Sequence, residues 1–280
     1  MDTVVASGAD FLKVRNDPAC EATFALLRTA RERGLPVAGH WPVSITAEEA
    51  SDSGYRSLEH GPFGASAGAL GMQIEQIIPD GRSRLIATLI RNRTGYTPTL
   101  VARASDRLTD SAIAQLLADT TGLRELRMRY VPNALRELWI AGLALGSVSA
   151  PIDWASLERL WNRELRPMAD AGVLILTGTD TGVPFVFPGF AVADEMELLV
   201  RDGGLTTLES LRAATSNVAA WMRAEGDFGT VERGKRADLV LLDANPLDNI
   251  GNVRRIAAVV RDGRVLDRAA LDALLRSALR

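Results

Sequence analysis

Three short runs decide the fold: Ala9-Asp10-Phe11-Leu12-Lys13-Val14, Pro36-Val37-Ala38-Gly39-His40 and Tyr55-Arg56-Ser57-Leu58-Glu59-His60. Each reads as a strand, and helix signals fill the gaps between them. Asp17-Pro18 supplies an N-cap and a proline at the first helical position, Phe24, Leu26 and Leu27 lie on the helix, and Gly34 sits where a C-terminal glycine belongs. Thr46-Ala47-Glu48-Glu49 is a capping-box pattern opening a short helix that stops at Gly54. Strands separated by helices pair in parallel, because a parallel pair needs a crossover connection.

Outward from this core the spacing widens. Thr97 to Ala102 reads as a fourth strand. A Leu- and Arg-rich helical stretch from Asp110 to Ala144 follows as an insertion, placed at about residues 103–150. Trp154, Leu157, Leu160, Trp161, Leu165 and Met168 mark one face of a further helix. Val173 to Thr177 is a fifth strand, apolar until its end as a strand buried on both faces should be. Thr206 and Glu209 form a second capping box, opening helices that run to about Arg223.

Near Gly226 the pattern changes. Ala237 to Asp243 and Ala257 to Arg261 are strand-like, and Asp262-Gly263 is a hairpin signal before Arg264 to Asp267. A terminal helix, Arg268 to Leu279, closes the chain. The expected organisation is therefore an α/β unit over residues 1–225 and a small β segment with its helix over 226–280. A complete eight-unit barrel takes ~250 residues. Five strand–helix units leave two architectures, an open five-stranded sheet or a barrel with units missing.

Composition narrows the function classes. The 280 residues are 47% apolar and 24% charged, an ordinary globular balance. A formal charge of −3 gives no counterion-release argument for nucleic acid. The charge-free stretch Leu138 to Ala150 is too short to span a bilayer, so no membrane partner is expected. The first fourteen residues carry neither a basic n-region nor a long apolar core. The single cysteine, Cys20, excludes an intrachain disulfide and any Cys-based zinc site.

Of the 32 basic residues all but Lys13 and Lys235 are arginine, and the two histidines are His40 and His60. In parallel α/β folds functional groups gather at the carboxyl ends of the strands. Lys13, His40, His60 and Asp180 all fall at or just after such ends. Each has a bland reading: a lone histidine holds a hydrogen bond, Asp180 holds the turn Gly178-Thr179-Asp180-Thr181-Gly182, and Lys13 is a solvated cation. Together those readings require four independent accidents at one end of a sheet. Imidazoles and carboxylates suit zinc and similar divalent ions, whose bound water a nearby carboxylate can deprotonate. A neutral lysine amine can capture carbon dioxide and become a carbamate with two ligating oxygens, whereas guanidinium stays charged.

The pieces ADFLKV (9–14), VAGHWP (37–42), SLEHG (57–61), TPTL (97–100), ILTGTDTG (175–182), ESLRAAT (209–215) and GTVERGKRADLVLLDANPLDNI (229–250) resemble the amidohydrolase superfamily. The resemblance is to the branch with imidazolonepropionase-like and prolidase-like enzymes, and it covers nearly the whole chain in the family's order. It implies a TIM-type (β/α)8 barrel, here incomplete with strands four to eight only, and the C-terminal part of a small β-sandwich. It implies a binuclear or mononuclear divalent metal site, with zinc as the expected ion. Lys13 then matches the strand-four lysine that carbon dioxide converts to a carbamate. His40 and His60 match the histidine ligands of strands five and six. Asp180 matches the strand-eight aspartate that binds metal and takes the proton of the attacking water.

Three departures stand beside the likeness. The family's first barrel strand ends in a His-x-His pair, which this sequence does not contain. Barrel strands one to three are missing as well, so the sequence resembles the C-terminal part of a longer protein. Ala193 stands where relatives often have His. The leading expectation is a hydrolase of amide-like C–N bonds in a dipeptide-like or other small-molecule substrate, inactive without an N-terminal segment and self-associating through its open sheet edge. The alternative is a non-catalytic remnant serving as a binding module. A flavodoxin-like binding protein lacks support, since Val14-Arg15-Asn16-Asp17-Pro18 replaces a glycine-rich phosphate loop.

Overall fold

The computed structural model describes residues 2–15, 19–40, 42, 44–60, 79–103, 108–146 and 165–279. The chain divides into two compact units, Met1–Pro98 with Leu160–Leu176, and Thr99–Arg159 with Thr177–Arg280. No helix among the described residues is long and apolar enough to cross a membrane.

The first unit is a parallel sheet of β1 (Leu12–Val14), β2 (Val37–His40), β3 (Tyr55–Glu59) and β4 (Gly95–Thr97). The strand order is β1-β2-β3-β4. It follows chain order without the reversal that defines a doubly wound sheet. The expected fifth strand is a single bridge, Tyr96 to Ile175, held because Tyr96 N–H donates to the Leu174 carbonyl and Leu176 N–H to the Tyr96 carbonyl, both at 2.8 Å.

Strand boundaries differ from the sequence reading for local reasons. The fourth strand is Gly95–Thr97 rather than Thr97 to Ala102. Pro98 has no N–H for a ladder, and Thr99 turns at φ 50° into a 3₁₀ turn over Leu100–Arg103. β1 is confined to Leu12–Val14. The first long helix is Cys20–Glu32, with Ala19 at the N-cap position and no side-chain capping bond there. The expected cap at Asp17-Pro18, and the apolar face marked by Trp154, Leu157, Leu160 and Trp161, lie outside the described residues. Leu165 and Met168 are buried on the helical residues 165–171.

Val37, Leu58 and Tyr96 of the sheet are buried, as are Leu27 and Ala30 of helix Cys20–Glu32 and Leu89 of helix Pro79–Asn92. The amino ends of β3 and β4 carry a buried polar chain. The Ser51 hydroxyl lies 2.8 Å from that of Thr94, which donates to the Tyr55 carbonyl at 3.0 Å. Asn92 Nδ2 donates to Ser51 at 3.0 Å. Hydrogen-bonded burial of this kind locks the end opposite the candidate residues. Gly39 is fixed by close approach: at φ 146° a Cβ would stand 2.0 Å from the Val14 carbonyl oxygen. Only glycine lets β2 pack there.

The second unit holds the insertion, whose helices are Asp110–Ala118 and Asn133–Gly146 with a 3₁₀ turn at Leu126–Tyr130. Trp139 is completely buried among Met128, Val131, Phe185 and Phe187. Its ring lies 5.4 Å from Phe185 and 5.6 Å from Phe187. Helix Thr207–Ala213 opens with the expected capping box at Thr206 and Glu209. β5 (Leu239–Leu242), β6 (Ile256–Arg261) and β7 (Arg264–Leu266) form the small antiparallel sheet. Asp262 and Gly263 both take positive φ, 50° and 74°, as a two-residue hairpin turn requires. Asp267 caps the terminal helix Arg268–Ser277 by accepting the Ala270 N–H at 2.9 Å.

Candidate functional site

Strand parity selects one face of the parallel sheet. Lys13 pairs with Ala38, Ala38 with Ser57, and two residues on His40 pairs with Glu59 and Glu59 with Thr97. Residues directly opposite share a face, as do residues two apart on one strand. Lys13, His40, Glu59 and Thr97 therefore lie on one side of the sheet, with the last three at its carboxyl edge.

The contacts follow that placement. Lys13 Nζ lies 2.6 Å from Glu59 Oε2, and Glu59 Oε2 lies 4.0 Å from His60 Nε2. The His40 and His60 rings meet edge to face, 4.7 Å between centroids. The His60 and Glu59 side chains are mostly buried, at 12% and 13% exposure, while Lys13 at 41% opens towards solvent. Glu59 Oε2 and His60 Nε2 are themselves shielded from solvent. Three of the four expected residues are thus brought together, linked through a carboxylate.

The backbone that carries the histidines is specifically held. The Tyr55 hydroxyl donates to the His40 carbonyl at 3.0 Å, and His60 N–H donates to the Thr97 carbonyl at 2.8 Å. His60 takes φ 69°, a left-handed conformation uncommon for any residue but glycine. Thr99 and Asp180 are also left-handed, each at φ 50°, just past β4 and the fifth strand segment. Backbone strain of this kind clusters at functional sites.

Asp180 belongs to the second unit. Its carbonyl accepts the Val183 N–H at 3.2 Å, and the Thr179 and Thr181 hydroxyls meet at 2.8 Å across it. The turn-forming role considered from sequence is therefore present in its backbone. Ala193 is half-buried near the start of helix Ala191–Arg201. Next to it Asp194 receives Arg127 Nη1 at 2.8 Å and Arg254 Nη2 at 2.6 Å. Burial opposes charge on both guanidiniums, but their carboxylate partners outweigh it and raise both pKa values.

Two residues of the site were missed in sequence. Glu59 was legible by parity alone, since it stands an even number of residues beyond Ser57 and Tyr55. Tyr55 carries no such signal, because only the fold brings its hydroxyl to the His40 carbonyl.

The histidine pair fits a divalent ion: two imidazoles in edge contact can turn their nitrogens to one point, and neutral imidazole is a common zinc donor. Among the described residues no three His, Cys, Asp or Glu side chains are grouped so that they could hold a metal ion. The pair by itself would be only part of a ligand set.

A parallel α/β protein with imidazoles, an amine and a carboxylate at its strand ends is the class so defined. Residues 12–266 match the model of the Amidohydrolase family, and the chain belongs to that family. It is 32% identical over 133 residues to the ochratoxinase of Aspergillus niger, an overlap of 46% of this chain and 26% of that protein. It is 29% identical over 166 residues to the imidazolonepropionase of Symbiobacterium thermophilum, covering 58% of this chain and 38% of the relative. Among solved structures, a bottromycin amidohydrolase superposes with a TM-score of 0.68 at 26% identity, over 99% of this chain and 61% of the other. A Xaa-Pro dipeptidase superposes with a TM-score of 0.61 at 22% identity, over 94% and 56%, a likeness of fold. The chain thus spans less than two thirds of the length of these relatives.

Proposed function

We propose that this chain carries strands four to eight of a (β/α)8 barrel, and that it serves a metal-dependent hydrolase of amide-like C–N bonds in small molecules of the dipeptide or cyclic-amide class. The single observation that carries the reading is the meeting of Lys13, His40 and His60 at the carboxyl ends of adjacent parallel strands, in the order the family uses. The unreversed strand order supports the barrel. In this reading residues 1–225 are the partial barrel and 226–280 are the C-terminal segment of the sandwich, to which β5–β7 correspond. The names of the relatives, an ochratoxinase, an imidazolonepropionase and a bottromycin amidohydrolase, motivate the substrate class.

His40 and His60 would hold a divalent ion, zinc by donor type, through ring nitrogens. Lys13, as a carbamate formed when its neutral amine bonds to carbon dioxide and loses a proton, would be the further ligand. The chemistry such an ion would supply is a more acidic water, with a pKa lowered from ~15.7 to about 7. By the family likeness alone, Asp180 would be the residue that carries a proton in hydrolysis. Tyr55 holds the His40 backbone, and the left-handed turn at His60 directs its ring to the same point. The second metal position calls for a His-x-His pair that this sequence lacks.

The test is hydrolysis of a panel of dipeptides and cyclic amides with zinc and bicarbonate, for this chain alone and for the chain joined to an N-terminal segment of a relative that bears His-x-His. Negligible turnover alone and metal-dependent turnover when joined support the reading. No turnover in either, with the joined protein folded and zinc-loaded, favours the non-catalytic binding module.

A further inference from the structure

The segment that follows Asp180 packs against the insertion, and both lie in the second unit. Asp180 and Phe185 stand in the left-handed region, at φ 50° and 63°, where a bulky side chain is strained. Such strain persists only where the surroundings over-determine it. The segment's own backbone bonds are single turns, Val183 N–H to the Asp180 carbonyl at 3.2 Å and Val186 N–H to the Val183 carbonyl at 3.1 Å. Its side chains are held from outside. Phe185 is buried against Trp139 of helix Asn133–Gly146, 5.4 Å between ring centroids, and Phe187 meets the same indole edge to face at 5.6 Å. The Arg127 guanidinium lies 4.2 Å from the Phe187 ring centroid. It donates to Glu125 through Nε and Nη2, both at 2.9 Å, and to Asp194 through Nη1 at 2.8 Å. The Tyr130 and Phe190 rings are 5.7 Å apart. Each of the three phenylalanines between Asp180 and Asp194 is therefore met by a side chain of the insertion.

We propose that the insertion is the positioning element of Asp180: Trp139 and Arg127 grip the residues that follow it and so keep its turn in one conformation. The proposal rests on the reading of Asp180 as the proton-carrying residue, and adds to it the side chains that hold it in place. Trp139 and Arg127 are positioning residues, acting through residues 181–190. Arginine suits this place because a planar guanidinium can lie over a ring while its fork bonds two carboxylates, which an ammonium cannot do. Asp194 completes the grip at the start of helix Ala191–Arg201. It receives Arg127 from the insertion and, at 2.6 Å, Arg254 from the 3₁₀ turn Ile250–Arg254.

Amide hydrogen exchange of the whole chain, read by mass spectrometry on peptides of the second unit, tests this without reference to catalysis. Arg127→Met is expected to speed exchange over residues 181–190 about tenfold, the scale of losing one hydrogen bond to a charged group. The sheet β5–β7 and helix Thr207–Ala213 should exchange as in wild type. Trp139→Leu is expected to loosen the same residues, and Trp139→Phe, which keeps a ring against Phe185 and Phe187, to stay near wild type. Where Trp139→Leu does not fold, Arg127→Met decides, since it removes no core side chain. Unchanged exchange over residues 181–190 in Arg127→Met, or an acceleration shared equally by the whole unit, overturns the proposal. In the joined protein Arg127→Met is expected to lower kcat severalfold with KM unchanged, as a displaced proton carrier should. Looser exchange with kcat unchanged overturns the positioning role. A joined wild type without turnover counts against the proposed function instead, and the exchange result then decides the grip by itself.

Discussion

Lys13 on β1 reaches Glu59 on β3 across the whole width of β2, closing to 2.6 Å between Nζ and Oε2. Two strand spacings of ~4.8 Å separate their backbones. The contact exists because Ala38 is the residue between them on that face, and a lysine stem can lie along its methyl. Ala38→Leu fills that path. It is expected to break the ion pair and to lower zinc affinity, by displacing His40 two residues on. A variant that binds zinc as the wild type does contradicts this packing.

Gly39 gives the sharpest stability prediction. Gly39→Ala puts a Cβ 2.0 Å from the Val14 carbonyl oxygen at a φ of 146°. Neither strain nor clash can relax without separating β1 from β2. The expected loss is at least about 1–3 kcal/mol from backbone strain alone, with weaker zinc binding because His40 is the next residue. Chemical denaturation and chelator competition on the same sample check both.

Tyr55→Phe removes only the hydroxyl that donates to the His40 carbonyl. The expected cost is about 1 kcal/mol of stability, typical of one hydrogen bond. Zinc affinity should fall more than this stability change alone accounts for, since the bond fixes the backbone of a proposed ligand. Unchanged affinity with reduced stability would assign Tyr55 a purely structural role.

In the second unit Asp119 receives four backbone N–H groups, from Glu125 at 3.1 Å, Arg124 at 2.8 Å, Leu123 at 3.0 Å and Gly122 at 2.8 Å. These bonds, that from Glu125 first, hold its carboxyl well below the ordinary carboxylate range against the opposing effect of desolvation. A pKa lowered on folding contributes stability above the unfolded value near ~3.9 and loses it as pH falls towards the folded value. Asp119→Asn should therefore melt lower than wild type at neutral pH. The gap should narrow below about pH 4.

The sequence made the parallel sheet legible because its strands are apolar runs separated by cap signals that depend only on neighbours. The capping boxes at Thr46 and Thr206 form as the spacing to Glu49 and Glu209 requires. Boundaries were less legible where one residue decides them. Pro98 and Thr99 end β4 five residues before the apolar pattern does. Within the site, Lys13, His40 and His60 were found by their places after strands. Lys13 was read as solvated or carbamylated, and its ion pair escaped notice because it depends on a register two strands away. Asp180 keeps the turn role its Gly-Thr-Asp-Thr-Gly setting suggests, and its part in proton transfer stays with the proposed mechanism.

The measurement closest to the central claim is kcat/KM of the joined protein, with zinc and bicarbonate present, for wild type against Lys13→Arg. Guanidinium keeps the positive charge that pairs with Glu59 and cannot form a carbamate. The account predicts wild-type turnover of an amide or dipeptide substrate that Lys13→Arg abolishes while the protein stays folded. Undiminished turnover in Lys13→Arg contradicts it.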